Sequence, residues 1–282
     1  MGLIGGSLAL ALKEANKQLT IVGAGRSQTS LQTAIKLGII DSIADNIELA
    51  ITQADVIVIA APVAQTPHIL ALIKPHLKSH TVVTDCGSTK TDIAQYALDF
   101  LAEKANQFVP AHPIAGAEKT GPEAALADLF VGKNIIITPN HGTHQACVKT
   151  VTQLWQLAGG VVSHMSAAEH DAIFASVSHL PHLLAFALVD ELASRPNAET
   201  LFKFAASGFR DFTRIAGSSP EMWRDISLAN KDALLTEISA YELELNRIKI
   251  ALHNNDANAL LALFDRASTA RNAWQKAKES CN

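Results

Sequence analysis

Of the 282 residues, the stretch H-P-I-A-G-A-E-K-T-G at 112–121 carries the side chain best suited to move a proton near neutrality. Histidine's ordinary pKa lies in that range. His112 follows the short apolar run Phe108-Val109-Pro110-Ala111, which reads as a strand. The imidazole is therefore expected where a strand ends and a loop begins. In an open α/β sheet that rim is where ligands are worked on. Pro113 fixes the backbone after it, and Gly116 and Gly121 let the loop approach a ligand closely. Taken alone, the same residues also describe a Pro/Gly turn with no chemistry.

Three other clusters carry chemical groups. In D-C-G-S-T-K at 85–90, Ser88 or Thr89 would cap a helix starting near Lys90, with Asp92 helping. Alternatively, the Ser88 hydroxyl shares the rim with His112 and would orient that imidazole or touch a nicotinamide. In S-H-L-P-H at 178–182, His179 and His182 lie near one helix face beside a proline kink. No third ligand is close by, so no metal is expected, and the plain alternative is a buried, hydrogen-bonded pair. In G-F-R-D-F-T-R at 208–214, Arg210 and Arg214 share a helix face. They would either pair with Asp211 on the surface, worth little, or form a fork that grips a carboxylate.

These groups need a frame, and the first half of the chain supplies its signals. Gly2-Leu3-Ile4-Gly5-Gly6-Ser7 opens a helix that runs to about Ala15. It matches the last part of G-x-G-x-x-G, in which a pyrophosphate sits on the helix N-terminus. Gly2, Leu3, Ile4 and Gly5 are thus expected to face a dinucleotide. The strand and first glycine of that fingerprint are missing, which predicts a sheet without a central member and poor cofactor binding. Leu19–Gly23 reads as the next strand. Its end holds Gly25 where a ribose-reading acid belongs, followed by Arg26 and Ser27. That exchange favours a 2′-phosphate, hence NADP over NAD, against the alternative of a solvated turn arginine.

Ala54–Ala61 is an apolar run without alternation, as in a strand buried on both faces. Ala61 and Pro62, at its rim, join the cofactor-facing set. Further strands are expected at 81–85, 134–138 and 161–165, with helical patterns between. Alternating strands and helices predict a Rossmann-like, mostly parallel sheet over 1–165. From Ser166 the pattern is helical only, over 166–194, 198–207, 220–246 and 249–278, which predicts an all-α domain at 166–282. Several of these helices are apolar on more than one side and need each other or a second subunit.

A hydrophobic share of 48% with 18% charged residues gives an ordinary globular balance. The net charge of −4 and pI near 6.2 give no electrostatic case for nucleic acid or an anionic membrane. No uninterrupted apolar run approaches the roughly 20 residues of a membrane span. The N-terminus lacks the basic start of a signal peptide. Cys86, Cys147 and Cys281 show no paired spacing and read as free thiols of a reducing, cytoplasmic compartment.

With these blocks in view, the chain resembles the prephenate/arogenate (cyclohexadienyl) dehydrogenase family of tyrosine biosynthesis. The resemblance rests on G-L-I-G-G-S at 2–7, D-C-G-S-T-K at 85–90, H-P-I-A-G-A-E-K-T-G at 112–121, S-H-L-P-H at 178–182, G-F-R-D-F-T-R at 208–214 and S-P-E-M-W-R-D-I at 219–226. They occur in the family's order over nearly the whole chain. The resemblance implies oxidative decarboxylation of prephenate or arogenate with hydride transfer to NAD(P)+, in a homodimer joined through the helical domain. It implies that His112 hydrogen-bonds the ring hydroxyl, that Ser88 supports His112 near the nicotinamide, and that Arg214 holds a substrate carboxylate. By the same resemblance His179 and His182 line the pocket and Glu118 lies near its mouth. Two rivals stand beside it. One is a β-hydroxyacid or imine dehydrogenase of the same plan, which the H-P-x-A-G block disfavours; the other is an impaired dinucleotide-binding remnant.

Overall fold

The computed structural model describes all residues except Glu118 and 280–282. Two compact units divide it, Met1–Ala233 and Leu234–Asn282.

The first unit opens on α1 (Leu3–Ala15), which Gly2 starts in extended conformation without a side-chain cap. Its first-turn N–H groups consequently have no partner inside the helix. There follow β1 (Val22–Gly23), α2 (Gln28–Lys36), β2 (Ser42–Ile43), α3 (Ile47–Gln53), β3 (Val56–Ile59), α4 (Thr66–Ile73) and β4 (Val82–Asp85). Next come α5 (Thr91–Tyr96) and β5 (Phe108–Val109). All pairings among these strands are parallel, β1 with β2 and β3 with β4 with β5. The expected strand at 19–23 shrinks to its last two residues, and β2 and α3 are additions to the sequence reading.

The two parallel groups share no ladder. In the doubly wound order a further strand stands between the second and the fourth; β1 and β3 are the strands that would flank it. This corrects one expectation. Val56, Ile57 and Val58 are only half-buried, and of β3 only Ile59 is fully inside. A strand needs neighbours on both edges and cover on both faces to disappear into the core, and β3 has one ladder.

Pro110, which has no N–H to give a ladder, separates β5 from β6 (Ala111–Pro113). The chain changes sheets there. β6 pairs antiparallel with β7 (Asn134–Ile137), which pairs in parallel with β8 (Val161–His164). The α6 helix (Gln145–Leu157) covers this sheet with Val148, Val151 and Trp155, which share an apolar cluster with Ile135 and Ile137.

After β8 only helices occur among the described residues. Ala167–Phe174 (α7) and Leu180–Ala193 (α8) are joined by a π turn at Ala175–His179, so the expected proline kink is a widened turn just before Pro181. This continuous helix of 27 residues, with a mean hydropathy of 1.7 in its most apolar window, is long and apolar enough to cross a membrane, contrary to the sequence reading. Its polar residues His170 and Asp171 are instead buried against the sheet layer. α9 (Ala198–Lys203), α10 (Ser207–Thr213) and α11 (Pro220–Ala229) complete the unit, with the start of α12 (Lys231–His253). The single helix expected at 220–246 therefore breaks at Asn230.

The second unit holds the rest of α12 and α13 (Ala257–Glu279), turned at Asn254–Asp256 as the sequence indicated. None of the side chains of α13 is buried, and Leu261, Phe264 and Trp274 are more than half exposed.

Candidate active site

Asp85 ends β4, and its carboxylate organises the turn that follows. One oxygen accepts Gly87 N–H at 2.7 Å and Lys90 Nζ at 2.5 Å; the other accepts Ala111 N–H at 2.9 Å. Lys90 Nζ also donates to the Ala111 carbonyl at 2.9 Å. Lys90 is 0% exposed. This ion pair thus holds both backbone groups of Ala111, the residue before His112. D-C-G-S-T-K acts here as a clamp on β6. A side chain at 87 would meet the Asp85 carboxylate at 2.8 Å, so glycine is required there by close approach.

His112 lies within β6, opposite Ile136, and not in the loop after a strand. The three-residue strand includes a proline, which hid it from the sequence. The ring is buried between His170 and Phe174, each with its centroid 5.0 Å away. Its Nδ1 is 2.8 Å from His170 Nε2, and His170 Nδ1 is 2.8 Å from Asp171 Oδ1. The Asp171 carboxylate also accepts the backbone N–H groups of Lys90 and Thr91, at 2.8 Å each. It is Asp171, from α7, that caps α5; Ser88 makes no cap, and its hydroxyl has no hydrogen bond among the described residues.

Burial, then the neighbouring His170, Lys90 and His179, push the His112 pKa well below the usual histidine range. Burial likewise lowers His170, against the pull of Asp171. For Asp171 burial alone would raise the pKa, but hydrogen bonds from His170, Thr91 and Lys90 outweigh it. The site at neutral pH is a neutral imidazole pair ending on a carboxylate.

His179, in the π turn, has Nδ1 3.1 Å from Asn230 Nδ2, whose amide also donates to the Asp171 carbonyl at 2.8 Å. Burial lowers its pKa to about 4. Its Nε2 has no partner of hydrogen-bond geometry, though the Ser88 backbone lies beside the ring and favours its charged form. His182 donates from Nδ1 to the Ser178 carbonyl at 2.8 Å and stacks on Trp223 with centroids 3.7 Å apart. Burial lowers its pKa first, and the charge of Arg214 adds to that. Arg214 is therefore within electrostatic reach of His182. It opens the turn after α10, while Arg210 pairs with Asp211 at 3.4 Å on the surface. Glu118 lies outside the described residues.

At the cofactor-facing rim, Leu3 and Ile4 belong to one apolar cluster with Cys86, Ala111 and Ala115, so the start of α1 and the His112 strand share a core. A Cβ on Gly5 would meet that of Ala60 at 2.9 Å, whereas one on Gly2 would meet nothing within 4 Å. Gly5 is thus needed for helix–strand contact, and Gly2 leaves open space in front of unpaired N–H groups. Such a cradle suits a pyrophosphate. Ala61 and Pro62 follow β3 at the same end of the strands. Arg26 is exposed, and the Ser27 hydroxyl caps α2 by accepting Ser30 N–H at 3.2 Å.

His170, Asp171, Asp85, Lys90, Asn230 and Trp223 were not assigned roles from sequence. Only His170-Asp171, a His-Asp pair just inside a helix start, offered any local signal.

A parallel sheet with a glycine-started helix at its carboxyl rim defines a dinucleotide-binding protein. Residues 8–164 match the family description "Prephenate dehydrogenase, nucleotide-binding domain", and 166–266 match "Prephenate dehydrogenase, dimerization domain". The chain belongs to the prephenate dehydrogenase family. It is 38% identical to prephenate dehydrogenase of Bacillus subtilis, over 96% of this chain and 73% of that one. It is 32% identical to cyclohexadienyl dehydrogenase of Zymomonas mobilis, over 96% and 92%. Crystalline prephenate dehydrogenase of Aquifex aeolicus, in complex with hydroxyphenyl propionate and NAD+, superposes with a TM-score of 0.90 at 37% identity, covering 96% of this chain and 95% of that one.

Proposed function

We propose that this chain oxidatively decarboxylates prephenate, with arogenate as the alternative substrate, in tyrosine biosynthesis. The observation that carries the reading is a neutral, buried His112 on a strand that shares its apolar core with the start of α1, the helix where the fold presents a dinucleotide. The nicotinamide dinucleotide supplies the hydride acceptor. Gly2, Leu3, Ile4 and Gly5 would hold its pyrophosphate, with Ala61, Pro62 and Ser88 along the rim. Hydride leaves the carbinol carbon while His112 Nε2 accepts the hydroxyl proton. The carboxylate on the ring then leaves as CO2, its bond electrons completing the aromatic ring, and the proton returns to the ring oxygen. Aromatisation drives the reaction, so the protein's share is positioning and one proton acceptor. His179 and His182 line the pocket.

Arg214 serves the remaining carboxylate, which is charged before and during the reaction. Arg214→Ala should therefore chiefly raise KM. The charge-assisted contact is worth about 1.5–3 kcal/mol, or roughly tenfold to a few hundredfold. Steady-state kinetics with prephenate and with arogenate measures this; an unchanged KM for both would remove Arg214 from the pocket. Turnover of neither substrate by the wild type would overturn the function itself and favour the impaired remnant.

For the cofactor, we infer a lean toward NADP+ from Gly25 and the exposed Arg26, Ser27 being engaged as a helix cap. Arg26→Ala should raise KM for NADP+ and leave NAD+ nearly unchanged, as read in paired titrations. Equal kcat/KM for both cofactors in the wild type would defeat this lean. We infer a nucleotide domain at 1–165 and a substrate and dimer domain at 166–282. The exposed apolar side chains of α13 and the matched dimerization domain support a homodimer. Free Cys86 and Cys147 suit a cytoplasmic setting.

A further inference from the structure

We propose that His170 and Asp171 are positioning residues that set the tautomer of His112, so that its Nε2 and not its Nδ1 presents the lone pair to the substrate hydroxyl. This rests on the function proposed above.

The assignment follows from counting hydrogens along the chain of contacts. The Asp171 carboxylate accepts from Lys90 N–H and Thr91 N–H, and it has no proton of its own to give. Its contact with His170 Nδ1 at 2.8 Å therefore needs the hydrogen on Nδ1. A neutral imidazole carries one N–H, so His170 Nε2 is a bare acceptor. The 2.8 Å contact to His112 Nδ1 then needs a hydrogen on that nitrogen. What remains on His112 is a lone pair at Nε2. Two contacts thus fix two tautomers in series, as the carboxylate of a catalytic triad fixes one.

The groups around the pair agree. Asp85 and Lys90 neutralise each other at 2.5 Å and hold the Ala111 backbone. His179 is neutral and turns its Nδ1 to Asn230. Phe174 walls off the rings of both His112 and His170. Beyond Asp171, no other side-chain acceptor competes for the His170 Nδ1 hydrogen among the described residues.

The test uses the full chain labelled with 15N-histidine, read by NMR at neutral pH, where pyrrole-type and pyridine-type nitrogens differ in shift. The His112 and His170 signals are identified by their loss in His112→Gln and His170→Gln. In the wild type both residues should show Nδ1 protonated and Nε2 bare. Asp171→Asn offers an N–H where the carboxylate accepted, so His170 Nδ1 becomes the acceptor and the series reverses. His112 Nε2 should then carry the hydrogen, and kcat should fall roughly 10²- to 10⁴-fold with KM little changed. Wild-type His112 protonated at Nε2 overturns the proposal without any variant, which matters if Asp171→Asn fails to fold. A folded Asp171→Asn with unchanged tautomers and kcat overturns it too. The tautomers are read without substrate, so the expected pattern in a protein that turns over neither prephenate nor arogenate would sink the proposed reaction and leave the relay standing.

Discussion

Replacing His112 by asparagine should lower kcat by about 10²–10⁴-fold, the range of a general acid–base group, and leave KM almost unmoved. Asparagine keeps a polar group of similar reach but cannot take up a proton. The charge that His112 meets develops as hydride departs, so its contribution is made in the transition state and not in substrate binding. The pH profile distinguishes a proton acceptor from a mere contact. Burial and the neighbouring His170, Lys90 and His179 hold the His112 pKa well below the ordinary histidine value of 6.5. Only the neutral ring accepts a proton. Wild-type kcat should accordingly hold steady as pH falls through 6.5 and decline only at more acid pH, once the lowered pKa is crossed. That acid limb should be missing in His112→Asn. A limb that survives the substitution takes the proton-acceptor role away from His112.

Lys90→Met should cost about 3–5 kcal/mol of stability, the penalty for removing one partner of a buried ion pair. Lys90 is wholly buried, and its ammonium is shared between the Asp85 carboxylate and the Ala111 carbonyl. Methionine fills the space but leaves Asp85 an uncompensated charge, relieved only by the N–H groups of Gly87 and Ala111. Against a typical total of roughly 5–15 kcal/mol, such a loss is severe. Urea denaturation should show a lower midpoint at an unchanged slope. Asp85→Asn combined with Lys90→Met should regain part of the loss, because no lone charge then remains. A single-variant cost under about 1 kcal/mol would mean that water reaches the pair after all.

The residues that do chemistry were more legible than the residues that hold them. His112 was singled out by its type and its place after an apolar run, and α1, β4, β7 and β8 by periodicity and turn residues. The support was not legible, because tertiary packing creates it. His170 and Asp171 stand 58 and 59 positions after His112 in the chain, on a helix whose own pattern is plainly apolar. The Lys90–Asp85 pair has no signal in sequence, because its weight comes from burial. β6 is hidden because Pro110 precedes it and Pro113 ends it, and its antiparallel pairing with β7 has no sequence signature in three residues. The half-buried state of β3 also escaped the reading. Apolar composition reports what a strand tolerates, not which neighbours it has.

The unmatched edge of β3 also has a signature in time. Val82 N–H bonds to the Asp55 carbonyl and Cys86 N–H to that of Ile59, so these residues turn their backbone groups toward β4. By strand alternation Val56 and Val58 turn theirs to the opposite edge, where no ladder is described. In heavy water their amide hydrogens should be replaced early, while those of β4, flanked on both sides, are among the last to go. Slow replacement at Val56 and Val58 would report, residue by residue, that another strand had come to lie along that edge.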